Sequence, residues 1–163
     1  MKRRAALRRA GAAGLAALAG CLDRVRPAAP DGSDSPTGTS TPEPAIAAQA
    51  FQVTGIRSGG SGEEASVSFE DGVTVTGTIT GNNGCYTAVL DAASYGAHGG
   101  TDRVLVVDVR AKEETPEGGG VCTQALVDIS YEATFELTGP PPAAVLVRHE
   151  SMGETTTVAR VER

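Results

Sequence analysis

Between residues 124 and 136 the chain reads QALVDISYEATFE, and apolar and polar side chains alternate along it almost without a break. Ala125, Val127, Ile129, Tyr131, Ala133 and Phe135 share one parity. Gln124, Asp128, Ser130, Glu132, Thr134 and Glu136 share the other, with Leu126 the single intruder. A period of two sends each set to one face of an extended chain, so the segment reads as a half-buried antiparallel strand. At this length it is expected to bend or to carry a bulge.

Weaker versions of the pattern recur at 51–56, 65–69, 73–79, 85–92, 103–111, 143–149 and 155–161. Turn-forming clusters separate them: SGGSG, DG, GNNG, HGGT, PEGGG, GPPP and SMG. Eight strand segments with no helical period between them predict an all-β, antiparallel, immunoglobulin-like sandwich over residues 45–163. Parallel crossovers are expected to need helices, and none is legible. One hairpin can be set in register. A two-residue Asp71-Gly72 loop would place Phe69 opposite Thr74; a three-residue loop from Glu70 to Gly72 places Phe69 opposite Val73 and Val67 opposite Val75. Burial selects the three-residue loop, with Gly72 in the left-handed bulge position.

Three Phe, three Tyr and no Trp leave a core built mostly from Val, Ile, Leu and Ala. Such a core buries less area per residue, so another source of stability is expected. Of three cysteines, Cys21 stands apart, which leaves Cys85 and Cys122, each read as opening a strand. A disulfide between them closes a loop of nearly forty residues and is worth about 4 kcal/mol in the chain-entropy model. By parity Cys122 falls on the polar face, which places the bridge at a sheet edge or rim.

The N-terminus carries a different message. Residues 2–9 (KRRAALRR) are basic, residues 10–20 (AGAAGLAALAG) are uncharged, and Leu18-Ala19-Gly20-Cys21 closes the run. Eleven residues at about 1.5 Å each fall well short of the roughly 30 Å core of a bilayer, so the segment reads as an export signal rather than a span. Small residues before Cys21 admit a peptidase, and the thiol after the cut can carry a lipid. Residues 21–44, rich in Pro, Ser and Thr, cannot bury enough area to offset the entropy of ordering and read as a flexible tether.

Five of the 14 basic residues precede Cys21, leaving nine against 20 acidic residues, and of those nine only Lys112 is a lysine. That surface repels nucleic acid and anionic headgroups. Salt adaptation produces this composition, and so does GC-rich coding.

Reactive constellations are sparse. His149-Glu150-Ser151-Met152 with His98 raises a blue-copper-like site, but such a site needs a thiolate a few residues before the histidine, and Cys122 lies 27 positions upstream. Otherwise His149 reads as a hydrogen-bonded edge histidine and His98 as a solvent-facing loop residue. Ser94, His98 and Asp102 lack a nucleophile elbow. Glu113, Glu114 and Glu117 lack the alternating spacing of a calcium loop. No cofactor-binding pattern is present and no catalytic residue is identified.

The LAGC run at 18–21 resembles the lipobox of lipoprotein signals, and Arg3-Arg4 and Arg8-Arg9 resemble a twin-arginine export signal. Together with the tether and the acidic domain they resemble cell-surface lipoproteins of haloarchaea. GCYTAVL (84–90), CTQALVDISYEATFEL (122–137) and AAVLVRH (143–149) look like a group of haloarchaeal β proteins. This resemblance implies attachment to the outer face of the membrane through a lipid on Cys21. It brings no activity with it. The expected function is a noncatalytic binding or structural module facing a surface protein or glycan; the alternative is a secreted enzyme or a metal-binding lipoprotein using His98 and His149.

Overall fold

The computed structural model describes residues 42–163 apart from residue 117. Cys21, the signal segment and nearly all of the tether lie outside the described residues. Eight strands follow in order: β1 (Ala45–Ser58), β2 (Glu64–Ser68), β3 (Val73–Gly81), β4 (Tyr86–His98), β5 (Thr101–Glu113), β6 (Val127–Thr138), β7 (Ala144–Ser151) and β8 (Glu154–Glu162). They form two four-stranded sheets, β1-β6-β3-β2 and β4-β5-β7-β8. This is the all-β sandwich that the alternation predicts.

Burial follows parity. Along β6, Val127, Ile129, Tyr131, Ala133 and Phe135 are buried, and they meet Val73, Val75 and Ile79 of β3 and Leu105, Val107, Val109, Val145 and Val147 of the second sheet. All six Phe and Tyr side chains of the chain belong to this core or pack against it. The long β6 itself runs straight through its pairings. The irregularities fall on its edge partner β1, between Ile46 and Ala48 and between Val53 and Gly55. Edge strands β4 and β8 are bulged as well, and the fourth edge, β2, has only five residues. Each device blunts an open strand edge against pairing with another chain.

The β2–β3 register matches the three-residue loop: Val67 faces Val75 and Ser68 faces Thr74. Gly72 has φ +106°, and a Cβ there would meet the Phe135 carbonyl oxygen at 2.5 Å. Glycine is required at this position for both reasons.

Two expectations need correction. First, the sheets are not wholly antiparallel, since β5 and β7 pair in parallel from Val104↔Ala144 to Arg110↔Glu150. No crossover helix is needed because β6, lying in the opposite sheet, carries the chain back between them. Strands of a parallel pair are commonly buried on both faces. Here Val104–Val107 and Ala144–Leu146 are continuously buried, with Val104, Val106, Ala144 and Leu146 forming a small second cluster. In immunoglobulin domains the first two strands pair with each other, whereas here β1 and β2 occupy opposite edges of one sheet. Second, β6 begins at Val127 rather than near residue 124, and Cys122 lies in the loop before it. That loop is drawn aside by Gly59 N–H, which donates to the Leu126 carbonyl, and by Gly84 N–H, which donates to the Thr123 carbonyl.

The pairings give the sandwich two distinct ends. Ala45 faces Thr138 at one end, together with turns 69–72 and 99–100 and loop 139–143. At the other, here the distal end, loops 59–63, 82–85, 118–126 and 152–153 gather. Cys85 and Cys122 stand there at disulfide distance, with Cα atoms 5.4 Å apart. Alkylation of the denatured chain without reductant is expected to leave both thiols unmodified; two labelled cysteines would contradict the pairing. Replacing both by serine should lower unfolding stability by about 4 kcal/mol in urea titration.

Candidate functional site

Near the distal end, three side chains that no motif joins come together between the sheets. Tyr131 points inward from β6, His149 points inward from β7, and Glu63 reaches in from the loop between β1 and β2. The Tyr131 hydroxyl lies 2.7 Å from His149 Nε2, and Glu63 Oε2 lies 3.4 Å from His149 Nδ1. His149 is completely buried and Tyr131 is 1% exposed. Phe51 stacks on Tyr131 at 5.4 Å between centroids, and His149 meets the Tyr131 ring edge-on at 5.6 Å.

Sequence explains how Glu63 is delivered. Loop 59–63 reads GGSGE, and its first two glycines pass close to neighbours: a Cβ on Gly59 would strike the Asp128 carboxylate that holds the loop, and one on Gly60 would stand 3.0 Å from Leu126 Cδ1, which would have to yield slightly. Asp128, buried on the outward face of β6, accepts the Ser61 hydroxyl at 2.6 Å and the Ser61 N–H at 3.2 Å. Asp128 and Tyr131 are three residues apart, so they leave β6 on opposite faces. The contacts therefore close a circuit. It runs from Asp128 to Ser61, along the loop to Glu63, through His149 and back to β6 at Tyr131.

The electrostatics fix the proton arrangement. A carboxylate facing Nδ1 favours the tautomer protonated there, which leaves Nε2 to accept the Tyr131 hydroxyl. Burial pushes the His149 pKa below the ordinary histidine value, against an opposing pull from Glu63. Burial also pushes the Tyr131 phenol up, and the Glu63 charge adds to this. Both groups therefore stay neutral at pH 7. Carboxylate, imidazole and phenol in line form a relay, but both rings are sealed from solvent. Its direct effect is to tie the two sheets and the 59–63 loop together.

The other predicted residues scatter. His98 lies exposed at the β4–β5 turn opposite Thr101, while His149 faces Val109 on the same strand β5. Eight residues of extended chain separate these rungs by about 26 Å. The two imidazoles cannot share one site. Cys122 stands at disulfide distance from Cys85 and not beside either histidine. The expectation that His149 is an edge histidine is overturned, because β7 lies inside its sheet between β5 and β8. Among the described residues no three His, Cys, Asp or Glu side chains converge as metal ligands; Cys21 and Glu117 lie outside them.

Two surface concavities accompany the relay. One of about 420 Å³ on the outer face of the first sheet is lined mainly by hydroxyls and carboxylates, among them Thr54, Glu64, Ser66, Thr76, Ser130 and Glu132. The other, about 240 Å³ on the outer face of the second sheet, lies among Asp91, Asp108, Arg148 and Glu150. Two of its three carboxylates are paired, Arg148 making two 2.6 Å bonds to Asp108 and Arg110 pairing with Asp91 at 2.6 Å, while Glu150 forms no ion pair among the described residues. No protein-family model, curated protein or solved structure matches this chain.

The relay sets a pH dependence. The unfolded chain takes up a proton on histidine at about pH 6.5, but folded His149 resists it, so the unfolded state binds more protons below that value. Stability from His149 is complete above about pH 6.5 and is lost as the pH falls toward the lower folded value. Denaturant titrations across that window should show this decline in wild type and a flatter profile in His149→Gln; an unchanged profile would contradict the assignment. Tyr131→Phe leaves Nε2 buried without a donor and should cost about 1–3 kcal/mol at pH 7.

Proposed function

We propose that this chain is a lipid-anchored protein of a haloarchaeal cell surface, exported by its basic N-terminal signal and moored through Cys21. Its sandwich serves as a noncatalytic binding or structural module. The LAGC run at 18–21 and the proline-rich stretch beyond it support the anchoring part. One structural observation supports the binding part. Among the described residues the exposed large apolar side chains are Ile56, Val121, Leu126 and Met152, and all four lie toward the distal end. Val121 is 96% exposed. The first strand, β1, begins with Ala45 at the opposite end of the sandwich. Exposed apolar side chains are candidate contact points for a partner, and here they share one end of the sandwich. The partner under this reading is a surface protein or glycan.

The anchoring part is tested by cell fractionation. Cys21→Ser should release the protein into the medium while the wild type stays with membranes; an unchanged membrane association contradicts it.

A further inference from the structure

The chain contains two asparagines, Asn82 and Asn83, and the second is followed by glycine. Asparagine before glycine is the pair in which a backbone nitrogen most easily attacks the side-chain amide, because no Cβ crowds the approach. In this fold both reacting groups are held. Asn83 Oδ1 accepts the Cys85 N–H at 2.8 Å, and Asn83 Nδ2 donates to Glu113 Oε1 at 3.3 Å. The nucleophile is engaged too, since Gly84 N–H donates to the Thr123 carbonyl at 3.1 Å. A further bond of 2.8 Å, from Glu114 N–H to the Cys85 carbonyl, fastens the same turn to the end of β5. The two halves of this clasp are joined by the cysteines, Cys85 directly after Gly84 and Cys122 directly before Thr123.

We propose that Asn83–Gly84 is a self-modification site kept unreactive by the Cys85–Cys122 clasp. When the clasp opens, the Gly84 amide gives its proton to a solvent base and its nitrogen attacks Asn83 Cγ. A new C–N bond forms, the Cγ–Nδ2 bond breaks, and the nitrogen leaves as ammonia after taking a proton from water. Water then opens the cyclic imide at one of its two carbonyls and leaves aspartate or isoaspartate. Neither step consumes an oxidant or a reductant. Opening is a separate event in which a dithiol reduces the cysteine pair and is itself oxidised to a disulfide.

The product changes the clasp. A carboxylate replaces the amide that donated to Glu113, so two like charges now face each other where a hydrogen bond stood. Isoaspartate also lengthens the backbone of the turn. One opening therefore leaves a permanent mark beside the segment that carries Val121 and Leu126.

The test follows residue 83 by peptide mapping of the full chain held in mildly alkaline buffer, with Asn82 as internal comparison. Dithiothreitol-reduced and alkylated chain should convert Asn83 at least about tenfold faster than oxidised chain, a factor equivalent to about 1.4 kcal/mol of opening cost. Equal rates in the two samples would overturn the proposal, and so would an intact amide in the reduced sample. Because reduction also loosens the rest of the sandwich, Glu113→Ala supplies a second arm in which the cysteine pair stays joined. Oxidised E113A loses the contact to Asn83 Nδ2 and should convert faster than oxidised wild type; an equal rate would overturn the role given to that contact.

Discussion

Everything in this fold hangs on the alternation of β6. The strand pairs with β1 on one side and β3 on the other, so its backbone is satisfied along both edges. Its inward side chains from Val127 to Phe135 are buried, and Tyr131 and Phe135 are the largest fully buried side chains among the described residues. Slipping β6 by one residue would send Asp128, Ser130 and Glu132 into that core and put five apolar side chains in water. At about 25 cal/mol per Å² the apolar loss alone rivals the total stability of a domain this size. The register has no near competitor.

The polar structure is built from the same strand. One outward residue, Asp128, clips the 59–63 loop, and one inward residue, Tyr131, holds His149 in the opposite sheet. Glu63 closes the gap between them. Burying a histidine is costly unless both ring nitrogens find partners. Tyr131 partners Nε2, while Glu63 stands 3.4 Å from Nδ1 as a facing charge rather than a hydrogen-bond partner, so the loop that delivers it acts on the buried imidazole electrostatically although it runs over the surface. Gly77 completes the fit, since a Cβ there would stand 2.5 Å from the Tyr131 hydroxyl. The distal end is fastened through contacts such as these, and the opposite end by others, including Arg103 Nη1 to the Pro141 carbonyl at 3.1 Å.

Local chemistry made much of this legible in advance. All eight strand segments and the 70–72 loop follow from period two and from turn residues, because both act within a few positions along the chain. The meeting of Cys85 and Cys122 also follows, since they were the only candidates once Cys21 was set aside. The parallel β5–β7 pair had a signal, the unbroken apolar runs VLVV and AVLV, which alternate with nothing and so mark strands buried on both faces. His149 had one as well: it shares parity with Val145 and Val147, which places it on the core side. Its meeting with Glu63 and Tyr131 had none. Glu63 and Tyr131 lie 68 residues apart and converge on His149 only because its sheet closes over theirs. Asp128 sits on the polar parity of β6 and is buried all the same, because a distant glycine-rich loop folds back over it.

If β6 organises the sandwich, its backbone opens only when the whole domain does. Native-state hydrogen exchange measured residue by residue addresses this directly. The slowest amides should be those of β6 from Val127 to Phe135, exchanging at the rate of global unfolding, with the edge strands β2 and β8 exchanging faster. Finding the β6 amides as fast as those edges would contradict the account.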